Sequence, residues 1–387
     1  MNIDKNALDK TLVALKEHLL RSRVPQGSWQ GKLSSSALST ATAVFALATV
    51  DKKKYKSLIF KGLDWLKDNC NADGGWGDTP HQLSGGNECN QSFGHKYRYG
   101  YNWCGASPSN ISTTLLCWSA FAIADGPHRY DETVAKAESW LINFAGSLEP
   151  KTLARAINQQ YGQDRSFSAP ILTMCTLAGR LGESKQAWRW IKPLPFELAT
   201  CPHWLFKWLK LPVVSYALPA LIAVGQANYY HRRPKNPVVK LLRYLTRRKT
   251  LTVLRNIQPE SGGFLEAIPL TAFVVMSLAA SGQRDNDVTV KGTEFLIASV
   301  REDGSWPIDT NLATWVTTLS INALAAGQNL ENALSLDERA NLQQWLLSLQ
   351  YCQEHPYTHA AGGGWAWTNL PGAVPDADDT AGALIAL

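Results

Sequence analysis

Apolar residues recur at helical spacing in three segments of the chain, 8–20, 290–300 and 339–349. In the first segment the stripe consists of Leu8, Leu12, Leu15 and Leu19. Apolar positions three and four residues apart are typical of an amphipathic helix that packs one face against a core. Because no segment alternates convincingly between apolar and polar residues, the pattern predicts an all-α protein.

A second kind of segment is rich in small and apolar residues and predicts a further set of helices. These segments are 38–47, 110–119, 269–278 and 314–324. Short turns of glycine and an aromatic residue precede such helices. The turns are Gly27-Ser28-Trp29, Gly74-Gly75-Trp76, Gly262-Gly263-Phe264, Gly304-Ser305-Trp306 and Gly363-Gly364-Trp365.

The turns recur at the period of a helical hairpin. Trp76 follows Trp29 by 47 residues, and Trp306 follows Phe264 by 42. One repeat is therefore expected to contain an outer helix, a glycine turn and the inner helix that comes next in sequence. Such hairpins either stack into an open solenoid or close into a toroid whose inner helices point their N-termini at one end of a cavity.

Length and cysteine content limit the class of protein. A chain of 387 residues exceeds the size at which one hydrophobic core stops growing, so two domains are expected. The seven cysteines are an odd number without a Cys-x-x-Cys pair, which favours free thiols in a reducing compartment. The sequence opens with no apolar signal core and has no apolar run of about 18 residues, so we expect an intracellular protein without a membrane-spanning segment.

Two segments interrupt the repeats. Residues 79–106 form a loop-like insertion to which the sequence assigns no role. Residues 193–219 mix prolines with large apolar side chains and are too broken to span a bilayer, so they either lie in one membrane interface or are buried between domains.

A basic run follows the second of these segments. It comprises Arg232, Arg233, Lys235, Lys240, Arg243, Arg247, Arg248, Lys249 and Arg255, in a chain of net charge +6. The run fits either a solvated helix face or a contact with anionic lipid headgroups. Nucleic acid is not expected as a partner, because no reading motif accompanies the charges.

Three carboxylates occupy four positions at Asp376, Asp378 and Asp379. Like charges at contact distance do not all ionise, so a cluster shielded from water should keep a proton near neutral pH. A helix N-terminus favours the ionised form, but its contribution of about 0.3–2 kcal/mol is the smaller effect. A protonated carboxyl in a dry cavity is an acid for a carbon–carbon double bond, and aromatic walls stabilise the resulting cation.

The cluster departs from the repeat in which it lies. In register with the other inner helices, Asp378 corresponds to Leu38, Ser112, Pro269 and Trp315, none of which is acidic. A capped helix N-terminus explains one or two aspartates and does not require three. The three aspartates are therefore the candidate catalytic residues.

Four features together resemble squalene-hopene cyclases and related class II terpene cyclases. They are the Gly-aromatic repeats, the Asp-x-Asp-Asp-Thr-Ala run after Gly363-Gly364-Trp365-Ala366-Trp367, the Trp315 helix and the segment 195–219. The resemblance implies an α/α toroid, a double α-barrel of helical-hairpin repeats, in which the catalytic barrel is incomplete.

The resemblance also implies how the chain is divided. Residues 1–30 and 300–387 would form the partial catalytic barrel, and residues 31–299 the second α/α barrel. The second barrel would carry the insertion 79–106 and a membrane-attachment segment at 193–230.

The activity implied is a protonation-initiated cyclisation of squalene or a related polyprenyl substrate to a polycyclic triterpene. Asp378 would be the general acid, with Asp376 and Asp379 as supporting carboxylates and with no metal or cofactor. The residues expected to bind the isoprenoid substrate are Trp315, Trp365 and Trp367. The protein would be cytoplasmic and peripheral, as a monotopic protein on the inner membrane face.

Family members continue beyond the acidic motif, so the resemblance implies that part of the catalytic barrel is missing. The missing part could be supplied by a second copy of the chain, in a homodimer, or by a separate completing chain. One alternative is a truncated, catalytically inactive cyclase-like protein or lipid-binding scaffold. Another is a zinc protein prenyltransferase-like protein, for which Cys352, His355 and His359 have suitable spacing but lie in a loop-like stretch without that family's zinc motif.

Overall fold

The computed structural model describes residues 4–78, 107–124, 128–162, 164–201, 217–327, 330–355 and 358–387. Sixteen α-helices and one two-stranded sheet within these ranges confirm the predicted all-α class. The predicted insertion 79–106 lies outside the described residues. The chain divides into two compact units, unit 1 (Met1–Leu33 and Asp309–Leu387) and unit 2 (Ser34–Ile308).

In chain order the helices are α1 (Lys5–Arg21), α2 (Ala37–Asp51), α3 (Lys56–Asp68), α4 (Ile111–Ala120), α5 (Asp131–Ala145), α6 (Pro150–Tyr161), α7 (Arg165–Leu177), α8 (Ser184–Ala187), α9 (Leu218–His231), α10 (Pro237–Ile257), α11 (Ile268–Ala280), α12 (Asp287–Ala298), α13 (Ala313–Ala326), α14 (Leu330–Ala333), α15 (Leu336–Ser348) and α16 (Ala377–Ala386). Short 3-10 turns occupy Phe121–Ile123, Trp188–Trp190, Phe196–Thr200 and Phe264–Glu266. The sheet pairs β1 (Ser35–Ser36) with β2 (Trp306–Pro307) in antiparallel orientation.

Unit 2 is built as a ring of inner helices inside a layer of outer helices. The inner helices α2, α4, α7, α9 and α11 each pack against the next, and α11 packs against α2, so the ring is closed. The outer helices α3, α5, α6, α10 and α12 each pack against at least one inner helix. Unit 2 by itself is therefore an α/α barrel.

The inner helices are buried on almost every side because their residues are small or apolar. In α2, every residue of 39–47 is buried. Buried threonine hydroxyls cost little because they bond within their own helix, as in the contacts of Thr42 with the Leu38 carbonyl (2.9 Å) and of Thr173 with the Ala169 carbonyl (2.8 Å). Small side chains let neighbouring helices approach closely, which a ring of five requires.

Tryptophan side chains join the turns to the outer helices. The indole Nε1 of Trp29, Trp76 and Trp306 donates to the carbonyl of a leucine ten residues earlier, at 2.7 to 2.9 Å. Trp365 makes the corresponding bond to the Leu346 carbonyl at 2.8 Å. A buried indole needs a partner for its N–H, and the carbonyls near an outer helix C-terminus lack partners within that helix.

The main-chain N–H of each aromatic turn residue bonds to an inner helix. It donates to a threonine Oγ1 in all five turns, at 2.9 to 3.0 Å. The pairs are Trp29–Thr317, Trp76–Thr114, Phe264–Thr271, Trp306–Thr40 and Trp365–Thr380. We call this contact the turn–threonine bond.

Two of the turn–threonine bonds correct the predicted order of the repeats. Trp29 bonds to Thr317 of α13, and Trp306 bonds to Thr40 of α2, so neither turn uses the inner helix that comes next in sequence. The prediction is wrong for these two repeats because the chain leaves unit 1 after Leu33 and returns to it at Asp309. Each turn thus meets an inner helix of its own unit.

Glycine is required before the aromatic residue for two reasons. Gly304 has φ +87°, a conformation that favours glycine, and a Cβ there would lie 3.0 Å from the Lys61 carbonyl oxygen. Gly74 has φ +90°, and its Cβ would lie 2.7 Å from the Lys136 carbonyl oxygen. The glycine therefore lets the turn approach an adjacent outer helix.

The segment 193–230, predicted to attach to a membrane, is described at 193–201 and 217–230. Residues 218–229 belong to α9, and Ile222, Ala223 and Val224 are fully buried in unit 2. These three residues offer no surface to a bilayer, because they belong to the inner ring. Among the residues that the structure describes, no helix is long and apolar enough to cross a membrane.

The leucine stripe predicted to pack on one face of α1 is mostly exposed to solvent. Leu8, Leu12 and Leu15 are exposed in the structure, whereas Leu19 packs with the cluster around Trp29. The helix itself is present as predicted, but the pattern does not indicate which of its leucines have a packing partner in unit 1.

We expect Thr40→Val to lower the free energy of unfolding of unit 2 by about 1–3 kcal/mol, because the substitution leaves the buried Trp306 N–H without an acceptor. Denaturant unfolding followed by tryptophan fluorescence measures the change. Thr42→Val is the matched control in the same helix, since its hydroxyl bonds only to carbonyls of α2. Equal losses from the two substitutions would contradict a special role for the turn–threonine bond.

Candidate active site

The candidate site lies at the N-terminal ends of two inner helices of unit 1. Helices α13 and α16 pack together, and a Cβ at Gly382 would lie 3.3 Å from Thr318 Oγ1, so the approach is close. The loop before α16 bonds to both N-termini, with the Asp376 N–H donating to the Trp365 carbonyl (3.1 Å) and the Trp315 N–H to the Trp367 carbonyl (3.0 Å). The loop thereby brings the three predicted tryptophans to the end of unit 1 that carries the aspartates.

The three aspartates occupy different positions at the start of α16. Asp376 is the N-cap, and its Oδ1 accepts the Asp379 N–H at 2.8 Å. Asp378 is exposed, whereas Asp379 is only 8% exposed. One aspartate therefore has the structural role of a cap, one is available to solvent, and one is buried.

Asp379 is the carboxyl that keeps a proton. Burial raises its pKa most, followed by a hydrogen bond with the Asp376 carboxylate and by the charges of Asp376 and Asp378, to about 7. These are the two effects, desolvation and like-charge repulsion, that were expected to outweigh the helix N-terminus. Near neutral pH the Asp379 carboxyl is therefore protonated in a substantial fraction of the molecules, and in that form it can act as a Brønsted acid.

The three tryptophans differ in how much of each side chain is available to a ligand. Trp365 is 2% exposed and its indole N–H is bonded to Leu346, so it belongs to the core of unit 1. Trp315 is 41% exposed. Trp367 is half-buried, and its Nε1 is a buried donor without a hydrogen-bond partner among the described residues.

The structure adds two polar groups that the sequence did not single out. Thr314, next to Trp315, is fully buried, and its Oγ1 has no hydrogen-bond partner within the described ranges. Asp309 is half-buried in the segment before α13, and burial raises its pKa to about 6. No sequence signal separates Asp309 from the exposed aspartates, because its pKa depends on tertiary burial.

Cys352, His355 and His359, the candidate zinc ligands, each form hydrogen bonds within the protein. The Nε2 of His355 donates to the Ala373 carbonyl (3.1 Å), and its Nδ1 accepts the Thr358 N–H (3.0 Å). His359 bonds to Glu354 and Cys352 to the Gln350 carbonyl. In the part of the chain that the structure describes, no group of three or more His, Cys, Asp and Glu side chains is arranged to hold a metal.

Residues 2–145 match the family model described as the squalene-hopene cyclase C-terminal domain. This match confirms the predicted resemblance to squalene-hopene cyclases. The matched segment includes the Trp29 and Trp76 turns and ends with α5, so it does not contain the aspartate cluster. No curated protein matches the chain.

Asp379→Asn is expected to change the pH dependence of stability. The folded state binds the Asp379 proton more tightly than the unfolded state, whose ordinary pKa is 3.8, so the free energy of unfolding falls as pH rises from about 4 to about 7. Asparagine does not ionise, and the variant should exceed the natural protein in stability by roughly 1–4 kcal/mol above pH 7. Below pH 4 the two proteins should converge.

Denaturant titrations across this pH range measure the effect. Asp378→Asn is the control, because the neighbouring carboxyl is exposed and its replacement should alter the pH profile much less. A stability difference between the natural protein and Asp379→Asn that stays constant from pH 4 to pH 8 would contradict the raised pKa.

Proposed function

We propose that this protein starts the cyclisation of squalene or a related polyprenyl substrate by protonating a carbon–carbon double bond, giving a polycyclic triterpene. The family match supports a cyclase of the terpene class and an isoprenoid lipid as the substrate class. The observation that carries the reaction type is the buried Asp379 carboxyl, whose pKa is raised to about 7 within a cluster of three aspartates.

In this proposal each of the three carboxyls has a different role in proton transfer. Asp376 stays fixed as the cap of α16 and accepts hydrogen bonds, which holds Asp379 in place. Asp379 stores the proton, and the exposed Asp378 is the proposed general acid that delivers it to the substrate and is reloaded from water. Closely coupled carboxyls share protons, so the acid is best described as the cluster.

In the proposed step the π electrons of a terminal double bond take the proton from the carboxyl O–H. A carboxylate remains on the protein, and a tertiary carbocation forms on the substrate. The next double bond attacks this cation and forms a ring carbon–carbon bond, which passes the cation along the chain. The sequence ends when a proton leaves the last cation or when water adds to it.

Trp315 and Trp367 are the proposed aromatic contacts of the cation. An aromatic face stabilises a nearby cation by about 0.5–2 kcal/mol, more where water is excluded. The exposed fraction of Trp315 and the half-buried Trp367 leave ring surface for this role, whereas Trp365 supports them from the core.

We place this activity at the inner face of the cytoplasmic membrane, where a polyprene dissolves. The described cysteines are unpaired, in keeping with a reducing compartment. The proposed attachment is peripheral. A homodimer or a completing chain is the proposed means of enclosing the acid cluster.

Turnover of squalene by the detergent-solubilised protein, measured by gas chromatography of the lipid extract, tests the proposal. Asp378→Asn should lower the rate by at least about 10³-fold, and Asp379→Asn by a comparable factor, because each interrupts proton delivery. Asp337→Asn is the matched control, since Asp337 is an exposed aspartate in the first turn of another helix of unit 1. Unchanged turnover by Asp378→Asn would refute its role as the acid.

Chelation distinguishes the alternatives. Acid-initiated cyclisation should continue at the same rate after treatment with EDTA, because the proposed acid is a carboxyl. Loss of turnover on chelation would favour the zinc prenyltransferase-like alternative instead. Binding of squalene without conversion by the natural protein would favour the inactive cyclase-like or lipid-binding scaffold.

A further inference from the structure

A groove of about 330 Å³ lies between α9 and α10 of unit 2. Its cationic lining residues are Arg233, Lys240 and Arg247, and its aromatic ones include Tyr229, Tyr230 and Tyr244. Pro237 also lines the groove, so the N-terminus of the 21-residue helix α10 adds its positive partial charge there.

Hydrogen bonds between the two helices fix the floor of the groove. The buried Tyr229 hydroxyl donates to the Lys240 carbonyl at 3.2 Å. Gln226, which is also buried, donates from Nε2 to the Arg247 carbonyl (3.3 Å) and to Thr250 Oγ1 (2.8 Å). The backbone that carries two of the three cations is thus held in place, so the groove is a formed feature of the barrel.

Among the described residues that line the groove, none is acidic. Residues 198–259 contain no aspartate or glutamate. Glu197, just before this stretch, is already paired with the buried Arg243, whose Nε lies 3.0 Å from Glu197 Oε2. Arg233, Lys240 and Arg247 have no ion-pair partner among the described residues, so the groove attracts an anion.

The adjoining half of α10 has its polar and apolar faces reversed. Arg243, Thr246 and Thr250 face the interior and are buried. Val238, Leu241 and Leu245 lie on the opposite face and are 71%, 58% and 62% exposed. A helix in water normally buries its apolar stripe, so this face indicates an apolar surrounding on the outside.

From these observations we infer that α10 is a membrane-docking helix, and that the groove holds the phosphate of an anionic phospholipid headgroup. The apolar face enters the boundary between headgroups and acyl chains, and the cations beside it contact the phosphate. The inference rests on the peripheral attachment proposed above and assigns it to a lipid class and to particular residues.

Charge argues against a second copy of this chain as the occupant. In a two-fold symmetric contact the same face meets itself, so the unpaired cations of two grooves would be brought together. An anionic bilayer instead matches both the exposed apolar side chains and the positive charge.

Co-sedimentation of the purified full-length protein with vesicles tests the inference. Vesicles of phosphatidylcholine alone are compared with vesicles that also contain phosphatidylglycerol, and neither contains an isoprenoid. The natural protein should prefer the anionic vesicles, and the preference should weaken with salt. The double variant Lys240→Gln with Arg247→Gln should bind them roughly 25-fold more weakly, since each surface cation contributes about fivefold.

A matched double variant removes the same charge elsewhere in unit 2. Lys53→Gln with Lys67→Gln changes two exposed lysines in and before α3, and should bind within about twofold of the natural protein. Leu241→Ser with Leu245→Ser should weaken binding to both kinds of vesicle. Equal losses from the two charge variants, or binding that ignores vesicle charge, would overturn the inference.

Sedimentation of the protein without vesicles tests whether this face joins two copies of the chain instead of binding a membrane. If the groove or leucine variants convert a self-associating protein to a monomer, the face joins copies of the chain and the inference fails. Its failure is distinguishable from that of the proposed cyclisation. The Asp378→Asn variant should bind vesicles as the natural protein does, whatever its turnover of squalene. If the proposed cyclisation takes place, the groove variants should still convert detergent-solubilised squalene.

Discussion

The turn–threonine bond is the interaction on which the repeat architecture depends. In each of the five repeats it joins the main-chain N–H of the aromatic turn residue to a hydroxyl on an inner helix. A buried N–H without an acceptor costs about 1–3 kcal/mol, so each turn has one favoured register against its inner helix. Threonine suits the position because its hydroxyl also bonds within the helix, as Thr271 does to the Ala267 carbonyl. In the four repeats whose turn residue is a tryptophan, the indole bond to the outer helix then fixes the second layer.

The same bond places the candidate active site. Thr380 accepts the Trp365 N–H and lies one turn after Asp376, whose carbonyl accepts the Thr380 hydroxyl. The N-terminus of α16 is therefore held beside the turn that carries Trp365 and Trp367. Since the repeat already fixes this helix end, three aspartates there are held close together despite their repulsion. The stability of the repeat offsets the cost of a carboxyl whose pKa is about 7.

Sequence periodicity predicted the features that recur along the chain. It did not predict the features that depend on where the chain passes from one unit to the other. The apolar stripes and glycine turns indicated three outer and four inner helices. Helices α3, α5, α6 and α7 were not predicted, and no Gly-aromatic turn joins α6 to α7. The partners of Trp29 and Trp306 were assigned to the wrong helices, since sequence order does not reveal where the chain changes units. Within the cluster, the sequence predicted a retained proton, but the contrast between buried Asp379 and exposed Asp378 depends on which side of α16 packs in unit 1.

Both proposed sites are departures from the repeat, and their electrostatics are opposite. At the start of α16, negative charges occupy positions at which α2, α4, α11 and α13 have neutral residues, and burial raises the pKa of Asp379. In α10, apolar residues occupy the outer face while Arg243 is buried, which is possible because Glu197 pairs with it. A repeat is stabilised by burying apolar and exposing polar side chains, so a local reversal in either direction lowers the stability, and a bound ligand can offset part of that loss. The ligand proposed for the aspartates is an alkene that accepts a proton, and the one inferred for α10 is a surface that offers both hydrocarbon and phosphate.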